Sequence, residues 1–140
     1  MPDPVVSVVL PVYNEEEVLP ETLRRLTAAL ESVGEPFEVV IVNDGSRDGT
    51  MRIVREVCAA DLRFKLVSFS RNFGHQTAIT AGMDHASGQA IVVIDADLQD
   101  PPEVIAELVS RWREGYEVVY ARRVERKGET AFKRRTARLY

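Results

Sequence analysis

Three side chains that carry oxygen donors, Asp95, Asp97 and Gln99, recur at every second position directly after the apolar run Ala90 to Ile94. On an extended segment residues two apart point the same way, so the three could converge on one point. Such a set suits a hard divalent ion, Mg²⁺ or Mn²⁺, with water and a substrate phosphate completing its shell. A carboxylate emerging from an apolar strand is costly unless a cation, a donor or a ligand meets it, which points Asp95 in the same direction. The competing use is structural, with Asp97 and Asp100 capping the helix that follows. Asp100 stands just before Pro101 and fits that duty, which leaves Asp95 and Asp97 for ligation. Further polar residues follow other apolar runs: Tyr13, Asn14 and Glu15 after the first, Asp44, Ser46 and Asp48 after the second, Arg71 and Asn72 after the third.

The elements that must position these groups are legible from periodicity. Val5 to Val12, Phe37 to Val42, Phe64 to Phe69 and Ala90 to Ile94 read as strands, the first and fourth buried on both faces. Leu19, Leu23, Leu26, Leu30 and Val33 mark one face of a helix stopped by Gly34. Met51, Val54, Val57 and Cys58 mark a second helix, with Cys58 as a core residue. A third runs through Ile79 and Met83 to Gly88. A fourth starts at Pro101 and carries Val104, Ile105, Leu108, Val109 and Trp112. Glu117 to Ala121 reads as a fifth strand, and a helix is expected from about Thr130. Strand alternates with helix throughout, which implies right-handed crossovers. The expected fold is therefore an α/β, Rossmann-like domain: a mostly parallel sheet of order 3-2-1-4 with helices on both faces. Strands 1 and 4 then meet at the switch point, where ligands bind beyond the carboxyl ends of the strands.

Composition narrows the chemistry. At 140 residues, 45% hydrophobic and 29% charged, the chain fits one globular domain. A single cysteine excludes an intrachain disulfide framework and suits a reducing, cytoplasmic setting. No apolar run is long enough to span a membrane, and no secretory leader is visible. The first strand lacks the GxGxxG turn of dinucleotide binders, and neither a phosphate-loop GxxxxGK[ST] nor a Gly-x-Ser-x-Gly elbow occurs. Two histidines, His75 and His85, are too few for a histidine-rich metal site, and both are read as structural. The net charge of −4 hides a division: residues 1–121 carry −10 and residues 122–140 carry +6. An acidic body with a basic tail suggests a cationic site in one part and an anionic partner at the other.

Taken together and in order, Pro11-Val12-Tyr13-Asn14-Glu15, Asp44-Gly45-Ser46-Arg47-Asp48-Gly49-Thr50, Arg71-Asn72-Phe73-Gly74 and Asp95-Ala96-Asp97-Leu98-Gln99-Asp100-Pro101-Pro102 resemble a known pattern. It is that of the inverting GT-A glycosyltransferases of family 2. Within them the chain resembles the polyprenyl-phosphate branch, the dolichol-phosphate mannosyltransferases and bactoprenol glucosyltransferases. The resemblance covers essentially the whole chain. It implies that Pro11, Tyr13 and Glu15 line a nucleotide pocket, that Asp44 bonds the uracil or guanine base, and that Asp95 reaches the ribose or the metal. Asp97 and Gln99 would hold that metal on the donor diphosphate. Arg123, following Tyr120, and Arg134 or its neighbour Arg135 match the stretch where the family binds phosphate, which makes Asp97 and Arg123 the catalytic candidates. Glu16 and Glu17 are better read as acidic residues favoured at a helix start.

The implied reaction moves a hexose from a UDP- or GDP-sugar to a polyprenyl (dolichyl or undecaprenyl) phosphate with inversion. Such an acceptor arrives ionised and suits arginine forks. Family members run well beyond residue 140, so the resemblance implies truncation at the C-terminus. Residues 1–121 would be the nucleotide-sugar-binding GT-A core, and 122–140 a basic tail opening an incomplete acceptor-side region. The implied partners are the nucleotide sugar, the lipid phosphate at the cytoplasmic face of a membrane, and a second copy of the chain, with no nucleic acid. Two other readings stay open. A sugar-nucleotide-forming nucleotidyltransferase expects a Gly-rich basic loop where Tyr13-Asn14-Glu15 stands. A non-catalytic lipid- or nucleic-acid-binding module leaves Asp95, Asp97 and Gln99 without a use.

Overall fold

The computed structural model describes residues 2–126 and 129–137, with side chains described as far as residue 119. Four parallel strands, β1 (Val6–Val12), β2 (Phe37–Asn43), β3 (Phe64–Ser68) and β4 (Ala90–Val93), form a sheet of order β3-β2-β1-β4, as expected. β1 lies in the middle, with Val8 opposite Val39 on one side and Val92 on the other.

Alternation along the strands assigns the two faces. Val6, Val8, Leu10 and Val12 of β1 join Val39 and Ile41 of β2 in one core, under α1 (Leu19–Val33), α2 (Thr50–Ala60) and α4 (Ile105–Arg113). α1 contributes Leu19, Leu23, Leu26 and Leu30, the predicted stripe, and ends where Gly34 takes a φ of 81°. Fully burying side chains of this size stabilises the fold by about 1.5–3 kcal/mol each, so this face carries most of the cohesion. The opposite face is thinner. There α3 (His75–His85) sets Ala78 against Val40 and Val42. It can lie this close because Gly82 has no side chain: a Cβ there would stand 2.3 Å from Val9 Cγ1.

α3 covers β1 and β2 but leaves β4 open, so Ile91 and Val93 are 41% and 43% exposed. The expectation that β4 is buried on both faces is thus corrected. As an edge strand it has a neighbour on one side only among the described residues.

Two further expectations are overturned after β4. Asp100 does not cap a helix starting at Pro101. Pro101 is extended (ψ 130°), a 3-10 turn occupies Pro102–Val104, α4 follows at Ile105, and neither has a side-chain cap bond. Consecutive prolines explain this, because Pro102 disfavours the helical region for Pro101. The helix expected from Thr130 is instead β6 (Glu129–Ala137), paired antiparallel with β5 (Val118–Arg126), the two forming a separate sheet. Thr130, Phe132 and Thr136 are the strand formers of β6, and β5 supplies Val118, Val119, Tyr120 and Val124, so the stronger β-propensity lies in β5 and its pairing selects the strand.

At the amino-terminal end of the sheet a polar cluster is built into the wall. Glu38 is 3% exposed. Its Oε2 accepts from Ser7 Oγ (2.6 Å), from the Ser87 N–H (2.7 Å) and from Ser87 Oγ (2.9 Å), while Lys65 Nζ donates to Oε1 at 2.6 Å. Burial alone would raise the Glu38 pKa. The bonds from Lys65, Ser7 and Ser87 outweigh it and hold the value at about 2.

Candidate active site

At the carboxyl ends of β1, β2 and β4, a cavity of about 360 Å³ opens beside the start of α3. Pro11, Tyr13, Glu15, Asp44, Asp95 and Asp97 all line it. Six of the residues singled out from sequence are therefore brought to one place by the crossover topology. Gln99 is not among the lining residues. Its backbone N–H donates to Asp97 Oδ1 at 3.1 Å, over Leu98, whose φ is 62°. Asp97 thus has a local duty as well, shaping the turn that presents it. Tyr120, Arg123, Arg134 and Arg135 lie outside the residues whose side chains are described.

A second cavity, of about 530 Å³, runs along β4 against Leu108, Val109 and Trp112. Its lining is chiefly aliphatic, with Gln89, Asp100 and Glu117 the polar exceptions, and it gathers fewer carboxylates than the smaller one.

The cavity is built by three loops that hold one another. Asp44, only 4% exposed, accepts the Phe73 N–H on Oδ1 (2.7 Å) and the Gly74 N–H on Oδ2 (3.2 Å). It therefore ties the loop after β2 to the loop after β3. Gly45 completes that contact. Its φ is 77°, and a Cβ there would fall 2.4 Å from the Arg71 carbonyl carbon. The loop after β1 is tied to the loop after β2 through the Glu15 N–H on Thr50 Oγ1 (2.8 Å) and the Gly49 N–H on Glu16 Oε2 (3.1 Å). Glu16 thus does more than favour a helix start.

The electrostatics are those of a carboxylate cluster. The Glu15 pKa is raised, by burial first and then by Asp97, Asp48 and Asp95. That of Asp95 is raised by burial too, with His75 opposing and Asp97 and Asp100 adding to the rise. His75, the first residue of α3, stands with Nε2 3.3 Å from Asp95 Oδ1 and lines the cavity. The structural role expected for His75 from sequence is thus incomplete; its place after Gly74 at a helix start beyond the strand ends is the signal in the sequence for this position. Among the described residues no three His, Cys, Asp or Glu side chains are grouped closely enough to hold a metal ion unaided. The oxygen-only donors suit a hard divalent ion, and repulsion between like charges favours a cation here. The fit is that of a partial set, which a ligand's own phosphates would complete.

Residues 7–139 match the model of the glycosyl transferase family 2. The chain belongs to that family. Among curated relatives, the uncharacterized glycosyltransferase YkcC of Bacillus subtilis (strain 168) is 59% identical over 134 residues, which are 96% of this chain and 42% of that protein. The bactoprenol glucosyl transferase of Shigella phage SfV is 42% identical over 135 residues, 96% of this chain and 44% of the relative. The chain thus spans less than half the length of these relatives. Two solved structures share its GT-A fold. The mannosyltransferase PcManGT from Pyrobaculum calidifontis, in complex with GDP-Man and Mn²⁺, has a TM-score of 0.63 at 30% identity, over 78% of this chain and 32% of the other. S. aureus TarS 1–349 in complex with UDP has a TM-score of 0.60 at 28% identity, over the same shares.

Proposed function

We propose that this chain is the donor-binding part of a metal-dependent, inverting glycosyltransferase that moves a hexose from a UDP- or GDP-sugar to a polyprenyl phosphate. One observation carries the reading: Tyr13, Glu15, Asp44, Asp95 and Asp97 line one cavity at the strand ends. The relatives support it, since one is named a bactoprenol glucosyl transferase and the solved neighbours hold UDP, or GDP-Man with Mn²⁺.

In this reading Pro11, Tyr13 and Glu15 form the wall for the nucleoside. Asp44 uses its remaining lone pairs on the base while its N–H bonds keep it fixed. Asp95 meets the ribose or the ion. Asp97 holds the ion, with the Gln99 backbone N–H orienting the Asp97 carboxylate. A bound Mg²⁺ or Mn²⁺ would neutralise charge on the departing diphosphate. Arg123 and Arg134, in the strands that follow, would fork onto phosphate oxygens. A phosphate monoester has its second pKa near about 6, so it attacks without a general base, and no residue of the cavity is assigned that role. Residues 1–121 form the donor core and 122–140 open the acceptor side. No helix among the described residues is long and apolar enough to cross a membrane. The charge of the basic tail suits an anionic surface, and contact with a lipid phosphate at the cytoplasmic face is assigned to it on that ground.

Calorimetric titration with UDP and with GDP, each with and without Mn²⁺, tests the proposal. Binding of one of them, strengthened at least tenfold by Mn²⁺, is the expected result. Equal affinity without the ion would remove the metal from the reading, and no binding of either nucleotide would remove the donor.

A further inference from the structure

Tyr13 and Glu15 both line the cavity, whereas Asn14 between them does not. It turns to the neighbouring loop instead. Asn14 adopts a φ of 51°, in the left-handed region that asparagine enters more readily than most residues. In that conformation it makes two bonds with successive residues of the loop after β2. Its N–H donates to Ser46 Oγ at 2.9 Å, and its Oδ1 accepts the Arg47 N–H at 2.8 Å. Ser46 is itself placed by its N–H on Asn43 Oδ1, at the end of β2 (3.1 Å).

We propose that Asn14 is a positioning residue for the donor pocket: its paired bonds to Ser46 and Arg47 fix where Tyr13 and Glu15 stand relative to Asp44. The proposal rests on the donor-pocket reading above and goes beyond it. It assigns a function to a residue that does not line the cavity.

The argument is one of constraint. Glu15 and Glu16 are anchored from the C-terminal side by Thr50 and by Asp48, which accepts the Glu16 N–H at 3.3 Å. Pro11 and Val12 are held by the sheet. Tyr13, 42% exposed, lies between these anchors. Without the Asn14 bonds it stands on two residues of free loop, and the nucleotide itself must then order them on binding. Ordering that has to occur on binding weakens affinity, whereas ordering built in beforehand does not.

Three variants separate the bonds from the backbone conformation. Asn14→Ala loses the acceptor and disfavours the left-handed φ. Asn14→Gly keeps the φ and loses the acceptor. Asn14→Asp keeps both, and its added exposed charge is largely screened at high salt. The chain is titrated with UDP and GDP by calorimetry in Mn²⁺ and 0.5 M NaCl, and urea unfolding is followed in parallel. The expected result is a dissociation constant raised about tenfold in the alanine and glycine variants and restored to within about twofold by aspartate, with unfolding midpoints close to wild type. Wild-type affinity in the alanine and glycine variants, or an aspartate variant as weak as the alanine one, overturns the role of Asn14 and leaves the donor reading standing. A wild-type chain that binds neither nucleotide overturns the donor reading and this role with it.

Discussion

Replacing Glu38 with glutamine keeps the shape of the buried cluster and removes its charge. The carboxylate has a folded pKa of about 2 against an ordinary 4.5. Each pKa unit is worth about 1.36 kcal/mol, so the ionised form stabilises the fold by up to about 3 kcal/mol at pH 7. Lys65 is half exposed, and screening of its share brings the expected gap between wild type and Glu38→Gln to about 2–3 kcal/mol. The sign follows from proton counting. Between the two pKa values the unfolded chain binds the proton and the folded chain does not, so acid favours unfolding. The stabilisation is complete above about pH 5, falls to about 1 kcal/mol at pH 3, and vanishes below the folded pKa. Urea denaturation of both proteins at pH 7, 5, 4 and 3 measures the gap directly. A gap that stays constant from pH 7 to 3 would refute the reasoning, since the cost would then not come from the charge of Glu38; so would the absence of a gap at pH 7, since glutamine would then satisfy Ser7, Ser87 and Lys65 as well as the carboxylate does.

Asp97→Ala should abolish the strengthening of nucleotide binding by Mn²⁺ and leave the circular dichroism spectrum unchanged; undiminished metal dependence in calorimetry excludes Asp97 as a ligand. Asp44→Ala should weaken UDP or GDP binding even without metal, because it removes both the proposed base contact and the anchor of the Phe73 and Gly74 N–H groups. An equal loss for a base-free sugar diphosphate would show that only the anchor matters. Gly82→Ala drives a methyl group to 2.3 Å from Val9 and should cost about 1–3 kcal/mol of stability, read from urea midpoints. A neutral outcome there would mean that α3 can lift from the sheet without loss.

How far the sequence announces this structure depends on the range of the interactions. The strands and the α1 stripe are local patterns, and the order β3-β2-β1-β4 follows from alternation plus the handedness of crossovers, so both were legible. The strand-end polar residues were also legible as a group, because topology alone gathers them. What stayed hidden were bonds between residues far apart in the chain. Nothing near Glu38 signals that Ser7, Lys65 and Ser87 will surround it, and nothing near Asp44 signals that Phe73 and Gly74 will donate to it. β6 departs from its sequence expectation for a different reason. Residues 129–137 carry charged and small residues compatible with a helix, and the strand state is selected by β5, a partner that local propensity does not include. At Asp100 a familiar Asp-Pro start signal lost to the second proline beside it.

Leu98 occupies a left-handed backbone conformation without glycine's freedom and without a polar side chain that could bond its own backbone. A residue of that kind costs about 1–2 kcal/mol, borne here by the turn that presents Asp97. Selection for heat resistance alone would therefore find residue 98 early, since glycine or asparagine relieves the cost at a stroke. The same replacement would widen the range of directions open to Asp97 and Gln99, the neighbours whose aim the strained turn narrows. Durability and accuracy are set against each other at this one position, and a library screened only for melting temperature would drift away from the conformation that the loop after β4 now holds.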